Sequence, residues 1–174
     1  MESLVQELLA SYDSVSLETS TNIGRLIDQL VGAGPEAIPA LLDGLRRVSL
    51  EEAGNKTQKA RVLCGLMEDI GMSDGSAKED IVSSLRILQG PFARDTTHPD
   101  FHIAMARLYL GDGDAIHLVE SVLSNPDVPS GTRVVVAGDL LDVGSPYAEQ
   151  VLYSTVNDPL APLDDRAYAA GLLA

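Results

Sequence analysis

The stretch TRVVVAGDLLDVGSPYAEQVL, residues 132 to 152, decides the fold. Apolar residues recur every three or four positions on both sides of Gly144, which is the spacing of the buried face of an amphipathic helix. Gly144 is a typical helix terminator because glycine tolerates positive φ, and Pro146 is typical of a first helical turn because its missing amide hydrogen would have no partner there. The stretch therefore predicts two short helices joined by a tight turn.

The same pattern recurs along the chain. Apolar helices end at glycine breaks that begin at Gly32, Gly71, Gly111 and Gly144, with spacings of 39, 40 and 33 residues, and a second apolar helix follows each break. A period of this size is typical of stacked helical hairpins, since each hairpin buries its apolar face only against a neighbour. The sequence predicts one all-α domain over residues 1–174, made of about four hairpins. An N-terminal helix precedes them, and a C-terminal helix either caps the stack or begins a truncated further pair.

The punctuation of the last repeats resembles that of the HEAT-like (PBS-lyase-type) repeat family. Residues 132–152 are followed by Asn157-Asp158-Pro159 and then by residues 165–170, and Arg133 and Arg166 repeat a step of 33 residues. The resemblance is good over residues 98–174 and looser over residues 18–90. It implies a right-handed solenoid. A tetratricopeptide array and an irregular helical bundle are the alternatives, and the absence of Trp disfavours the first of them.

Composition and charge limit the classes of partner. Of the chain, 45% is apolar and 4% aromatic, so aliphatic side chains must build the core. The net charge of -14 argues against nucleic acid and anionic lipid as partners, because both are bound through Lys and Arg. Cys64 is the only cysteine, which fits a reducing compartment and a buried apolar role. With no signal-peptide pattern and no long apolar run, we expect a cytoplasmic protein that does not enter membranes.

Candidate chemistry is sparse. His98 and His102 have the spacing of two metal ligands on one helix face, but Pro99 between them favours His98 as the residue just before a helix start. Iron-dependent hydroxylases among HEAT-like proteins carry His-Glu pairs, and none of the three histidines here is followed by Glu. The sequence therefore predicts no catalytic residue, no metal site and no cofactor.

The second helix of each hairpin offers a candidate binding face. Aligning these helices on Ala37, Ala77, Ala115 and Ala148 places the residues one before, two after and six after each alanine on one outward stripe. The predicted partner-binding residues on that stripe are Glu36, Asp43, Glu79, Asp114, His117, Tyr147 and Gln150.

These residues predict a non-enzymatic protein-interaction module whose acidic, concave face binds a basic or extended protein partner. One specific version is an immunity or inhibitor protein. Two alternatives stay open: an enzyme or lyase subunit that holds a ligand in the groove near His117 and Tyr147, and a scaffold segment of a longer repeat array. The oligomeric state stays open as well.

Overall fold

A computed structural model describes residues 1–13, 17–51 and 55–174, with the backbone alone for residues 17–20. Within these ranges the regular structure is helical and contains no strand, which confirms the all-α prediction. The helices are α1 (Glu2–Ser11), α2 (Leu17–Ala33), α3 (Ile38–Ser49), α4 (Lys56–Ser73), α5 (Lys78–Leu88), α6 (Pro99–Tyr109), α7 (Ile116–Leu123), α8 (Ser130–Asp142), α9 (Pro146–Asn157) and α10 (Leu163–Leu172).

Contacts between helices follow the chain order. We call α2, α4, α6 and α8 the first helices, and α3, α5, α7 and α9 the second helices. The first helix α4 packs on α2 and α6, and the second helices pack in the pairs α3 with α5 and α7 with α9. Helix α1 packs on α2 and α3, and α10 packs on α8 and α9. Because α8 packs mainly on α7, α9 and α10 rather than on α6, the first helices part between α6 and α8.

Helix α6 joins two apolar clusters. Ile103 and Ala106 belong to the cluster built by α1 to α5, while Ala104 and Leu108 belong to the cluster built by α7 to α10. All four side chains are buried, so α6 is covered on nearly every side. A helix that is apolar around most of its circumference is expected at the centre of a fold rather than on its surface. The less buried side chains of α6, such as Tyr109, therefore lie between the two apolar clusters.

The turn glycines differ from the predicted set. Positive φ is found at Gly34, Gly111 and Gly144, with values of 59°, 79° and 81°. The predicted break at Gly71 is wrong, because α4 continues through it to Ser73. A Cβ built at Gly71 would lie 2.6 Å from Leu110 Cδ2, so this glycine allows the end of α6 to approach α4 closely. The glycine marks a helix contact there instead of a turn.

The alignment of the second helices holds in the burial pattern. Ala37, Ala77, Ala115 and Ala148 are all buried, and the side chains four residues after them, Leu41, Ile81, Val119 and Leu152, are fully buried. The predicted helix start at His98 is confirmed too. Its Nδ1 accepts a hydrogen bond from the Asp100 backbone amide at 3.2 Å, and Pro99 occupies the first turn.

Cys64 is buried, as predicted for a small apolar residue. At the C-terminal end, Tyr168 is half exposed and Leu160 and Leu163 lie largely in solvent. In the part of the chain that the structure describes, no helix is both long enough and apolar enough to cross a bilayer.

Candidate functional site

A groove of about 480 Å³ lies between α4, α6 and α8. Each helix contributes one face to the groove. Counted from the first lining residue of α4 or α8, the others follow at three, four and seven positions, which is the spacing of one helix face. The helical lining residues are Arg61, Cys64, Gly65 and Glu68 from α4; Phe101, His102, Met105 and Tyr109 from α6; and Thr132, Val135, Val136 and Asp139 from α8. We call this the first-helix groove.

The first-helix groove has two chemically different ends. Arg61 and His102 line one end of the groove close to each other, and we call it the cationic end after the guanidinium of Arg61. Glu68, Tyr109 and Asp139 interact with one another two helical turns further along, and they form the carboxylate end. Between the two ends, each of the three helices contributes apolar lining: Cys64, Met105 and Val136 are buried, and Val135 is half exposed.

The surroundings of Glu68 and Asp139 at the carboxylate end disfavour the charged form of both side chains. Burial, and then the charges of Asp69 and Asp139, raise the pKa of Glu68 to about 7. Burial, followed by the charge of Asp142, also raises the pKa of Asp139, although a hydrogen bond from the Tyr109 hydroxyl opposes that rise. Neither Glu68 nor Asp139 forms an ion pair with a Lys or Arg of the described residues. A cation from another molecule would therefore meet two carboxyl groups that have no ion-pair partner among the described residues.

The cationic end also has unused hydrogen-bonding capacity. Burial, and then the charge of Arg61, lower the pKa of His102 to about 4, so its ring is neutral at pH 7. Its Nε2 is buried and has no hydrogen-bond partner among the described residues. The Phe101 ring holds the imidazole edge-on, with ring centroids 5.3 Å apart. A ligand acceptor could be bound by the Arg61 guanidinium and by a neutral imidazole N–H together.

A second charged cluster around Asp112 is fully paired. The Asp112 carboxylate is completely buried and accepts from Arg107 Nε at 2.8 Å and from Arg86 Nε at 2.9 Å. The hydrogen bonds from Arg86 and Arg107 lower the pKa of Asp112 to about 2. Asp112 also accepts from the Asp114 backbone amide at the start of the short 3-10 turn Gly113–Ala115. This cluster ties α5 and α6 to the turn before α7, so its role is to hold the fold.

The acidic residues predicted on the second helices lie in two separate grooves. Glu36 and Asp43 line one groove together with the N-terminus of α1, and Asp43 pairs with Arg47 at 2.9 Å. Glu79 and Asp114 line another, which also contains Lys78 and Arg86, and Asp114 pairs with Arg86 at 3.2 Å. Basic side chains therefore lie beside the acidic residues of the stripe.

The remaining predicted residues lie on α7 and α9. His117 is largely exposed, and its Nδ1 lies 3.1 Å from Glu120 Oε2. Tyr147 is partly exposed and Gln150 is exposed on α9. None of the seven predicted residues lines the first-helix groove.

Sequence reasoning missed the first-helix groove because it aligned only the second helices. A signal was present: Arg61 and Glu68, and likewise Thr132 and Asp139, are seven residues apart on helices that are otherwise mainly apolar. Polar residues at that spacing share a helix face with the apolar residues between them. What the sequence did not contain was the parting of α6 from α8, which exposes these faces.

Comparisons with family models, with curated proteins and with solved structures found no match. The HEAT-like resemblance therefore stays a prediction from the repeat motifs. Within the residues that the structure describes, no three His, Cys, Asp or Glu side chains come together as metal ligands would.

Proposed function

We propose that this chain is a non-enzymatic HEAT-like module, a right-handed solenoid of about four helical hairpins that binds a protein partner in the cytoplasm. The repeated alanine register and the contacts of each helix pair with the next support the repeat architecture. The single buried thiol fits a reducing compartment. In such arrays, each helix pair adds to one continuous surface on which an extended partner can lie.

The binding site in this proposal is the first-helix groove, and the ligand group is a basic side chain of an extended partner segment. The observation that carries the proposal is the carboxylate end, where Glu68 and Asp139 are partly buried near other carboxylates and form no ion pair with a Lys or Arg of the described residues. A partner Lys or Arg would neutralise both carboxylates and relieve the repulsion between them. A hydrogen bond to a charged group contributes about 1.5–3 kcal/mol, so two such bonds would supply about 3–6 kcal/mol toward the binding free energy.

The apolar middle of the groove suits the same ligand. Lys and Arg carry their charge on an apolar stem, which packs well on surfaces such as those of Met105 and Val136. The acidic charge of the whole chain would speed the encounter with a basic partner. An inhibitor that covers a cationic surface of its target is one specific form of this function.

The second-helix stripe has a lesser role in this proposal. Glu36, Asp43, Glu79, Asp114, His117, Tyr147 and Gln150 would extend the contact area for a large partner. Because Asp43 and Asp114 are paired with arginines of the same chain, they would contribute less to binding than Glu68 and Asp139 do.

The test is capture of the partner from a lysate of the source cells, with quantification by mass spectrometry. Glu68→Gln combined with Asp139→Asn should reduce capture at least tenfold. The matched control is Asp127→Asn combined with Glu149→Gln, which removes the same charge from exposed sites outside the groove. Equal capture by both double variants would contradict the proposed site.

An enzyme is the second candidate, because a carboxyl group with a pKa of about 7 suits general acid-base catalysis. Binding is favoured because the groove lacks an activated nucleophile: burial raises the pKa of the Cys64 thiol, so the thiolate is disfavoured. Intact-mass analysis of the captured ligand separates the two candidates. An unchanged mass supports binding, whereas a covalent change that Glu68→Gln abolishes supports catalysis.

A further inference from the structure

We propose that the first-helix groove recognises the C-terminal residue of its partner when that residue is Lys or Arg. The basic side chain would lie against Glu68 and Asp139, and the terminal carboxylate would lie against Arg61 and His102. This inference rests on the proposed function and deepens it, because it specifies which basic residue of the partner enters the groove.

Arg61 lines the groove but forms no ion pair within the described residues. A guanidinium presents a planar fork of N–H donors that matches a carboxylate in a bidentate arrangement. An internal Lys or Arg of the partner would bring only a neutral peptide carbonyl to this end. A C-terminal residue brings the carboxylate that Arg61 lacks.

His102 is the second independent feature of the same end. Its Nε2 is buried without a hydrogen-bond partner among the described residues, and such atoms are uncommon in folded proteins because they carry a desolvation cost. A neutral imidazole can donate one N–H to a carboxylate oxygen. Since Arg61 and His102 are neighbours, one carboxylate with two oxygens satisfies both.

The length of the groove fits one basic residue. Arg61 and Glu68 are separated by two turns of α4, which is about 10 Å along the helix axis. The carboxyl carbon and the terminal nitrogen of an extended lysine are about 7 Å apart, so the side chains of Arg61 and Glu68 need to cover only the difference. The four methylene groups of the lysine would then lie over the apolar middle of the groove, where Val135 is half exposed.

The surroundings also provide a path for the rest of the partner. The hydroxyls of Thr96 and Thr132 line the groove along with the cationic end. They can hydrogen-bond to the last peptide group of a chain that leaves the groove there. The partner would therefore insert its last residue and continue outward over the loop before α6.

The test is isothermal titration calorimetry at pH 8 and low salt with three N-acetylated hexapeptides of otherwise identical sequence. They end in Lys with a free carboxylate, in Lys with an amide, and in Glu with a free carboxylate. We expect the Lys acid to bind at least tenfold more tightly than either of the others. Arg61→Met should weaken the Lys acid to the affinity of the Lys amide and leave the amide unchanged.

Control variants separate this site from general charge effects. Arg46→Met removes an exposed arginine on α3 outside the groove and should leave the preference for the Lys acid unchanged. Glu68→Gln with Asp139→Asn should weaken both Lys peptides at least tenfold. Circular dichroism of each variant shows whether it keeps its helices.

Three results would overturn the inference. Equal binding of the Lys acid and the Lys amide would mean that an internal basic residue suffices, and the proposed function would stand. Free lysine is titrated in the same way as the peptides. If it binds as tightly as the Lys acid, the ligand is an amino acid and not a protein C-terminus. No binding of any peptide would also overturn it, while the capture experiment with Glu68→Gln and Asp139→Asn decides the proposed function separately.

Discussion

Two charged clusters lie against helix α6, one at the turn that follows it and one in the first-helix groove, and they differ in one respect. At the turn after α6, Asp112 is buried between Arg86 and Arg107, and its pKa is lowered to about 2. In the first-helix groove, Glu68 lies beside further carboxylates, and its pKa is raised to about 7. A buried carboxylate thus stabilises the fold where arginines of the same chain pair with it, as at Asp112. Where no arginine in the described part of the chain pairs with it, as at Glu68, the charged form of the carboxyl group is disfavoured. The difference identifies the groove as the place where a ligand can supply the cation that Glu68 and Asp139 do not find among the described residues.

The largest expected effect comes from breaking the paired cluster. Asp112→Ala leaves Arg107 buried without its carboxylate, which should lower the free energy of unfolding by about 3–5 kcal/mol. Because the folded pKa of Asp112 lies below its ordinary value of 3.8, its contribution in the unmodified protein should be lost as the pH falls through that range toward 2. Urea unfolding followed by circular dichroism measures both effects. The control is Asp114→Asn, since Asp114 is exposed and its loss should cost less than about 1 kcal/mol. Equal losses in the two variants would remove the distinction between the clusters.

The groove should respond in the opposite direction. Glu68→Gln should raise the free energy of unfolding at pH 8 by up to about 3 kcal/mol, because the folded protein no longer holds a disfavoured charge. The sign follows from a folded pKa above the unfolded value of 4.5, so the stability contributed by Glu68 is present below pH 4.5 and is lost as the pH rises through 7. Unfolding curves at pH 5 and pH 8 check this. A variant that is no more stable than the unmodified protein at pH 8 would mean that Glu68 already has a partner.

Two glycines on α4 test whether one face of this helix is packed and the other lines an open groove. Gly71→Ala places a Cβ against Leu110 and should cost about 1–3 kcal/mol through overpacking. Gly65→Ala meets nothing within 4 Å and lines the groove, so it should stabilise α4 by up to about 1 kcal/mol. Thermal unfolding of both variants measures the difference. Destabilisation by Gly65→Ala would show that the groove face of α4 is packed.

Local patterns allowed the all-α class and several local features of the helices to be predicted. Apolar spacing and turn residues gave the all-α class, the helix start at His98, and the alanine register of the second helices. Gly71 was misread because a glycine that permits close helix packing and a glycine that ends a helix look alike in sequence. Only the position of Leu110 in the fold separates the two roles.

The candidate site was less accessible to sequence reasoning. Whether an acidic residue has a partner depends on contacts between distant helices, such as Arg86 with Asp112 across 26 positions. The raised pKa of Glu68 comes first from burial in the fold, then from the charge of Asp69, and then from that of Asp139, which lies two helical pairs further along the chain. Net charge therefore indicated an acidic protein but not which carboxylates lack a cation.

The most direct test of the central claim is an NMR titration of the Glu68 side-chain carboxyl, with and without the Lys-terminated peptide acid. We expect a Glu68 pKa near 7 in the free protein, and a fall toward or below the ordinary value of 4.5 when the peptide's ammonium group lies beside the carboxylate. A Glu68 pKa near 4.5 in the free protein, or one near 7 that saturating peptide leaves unchanged, would contradict the claim that the carboxylates of this groove bind a cation of the partner.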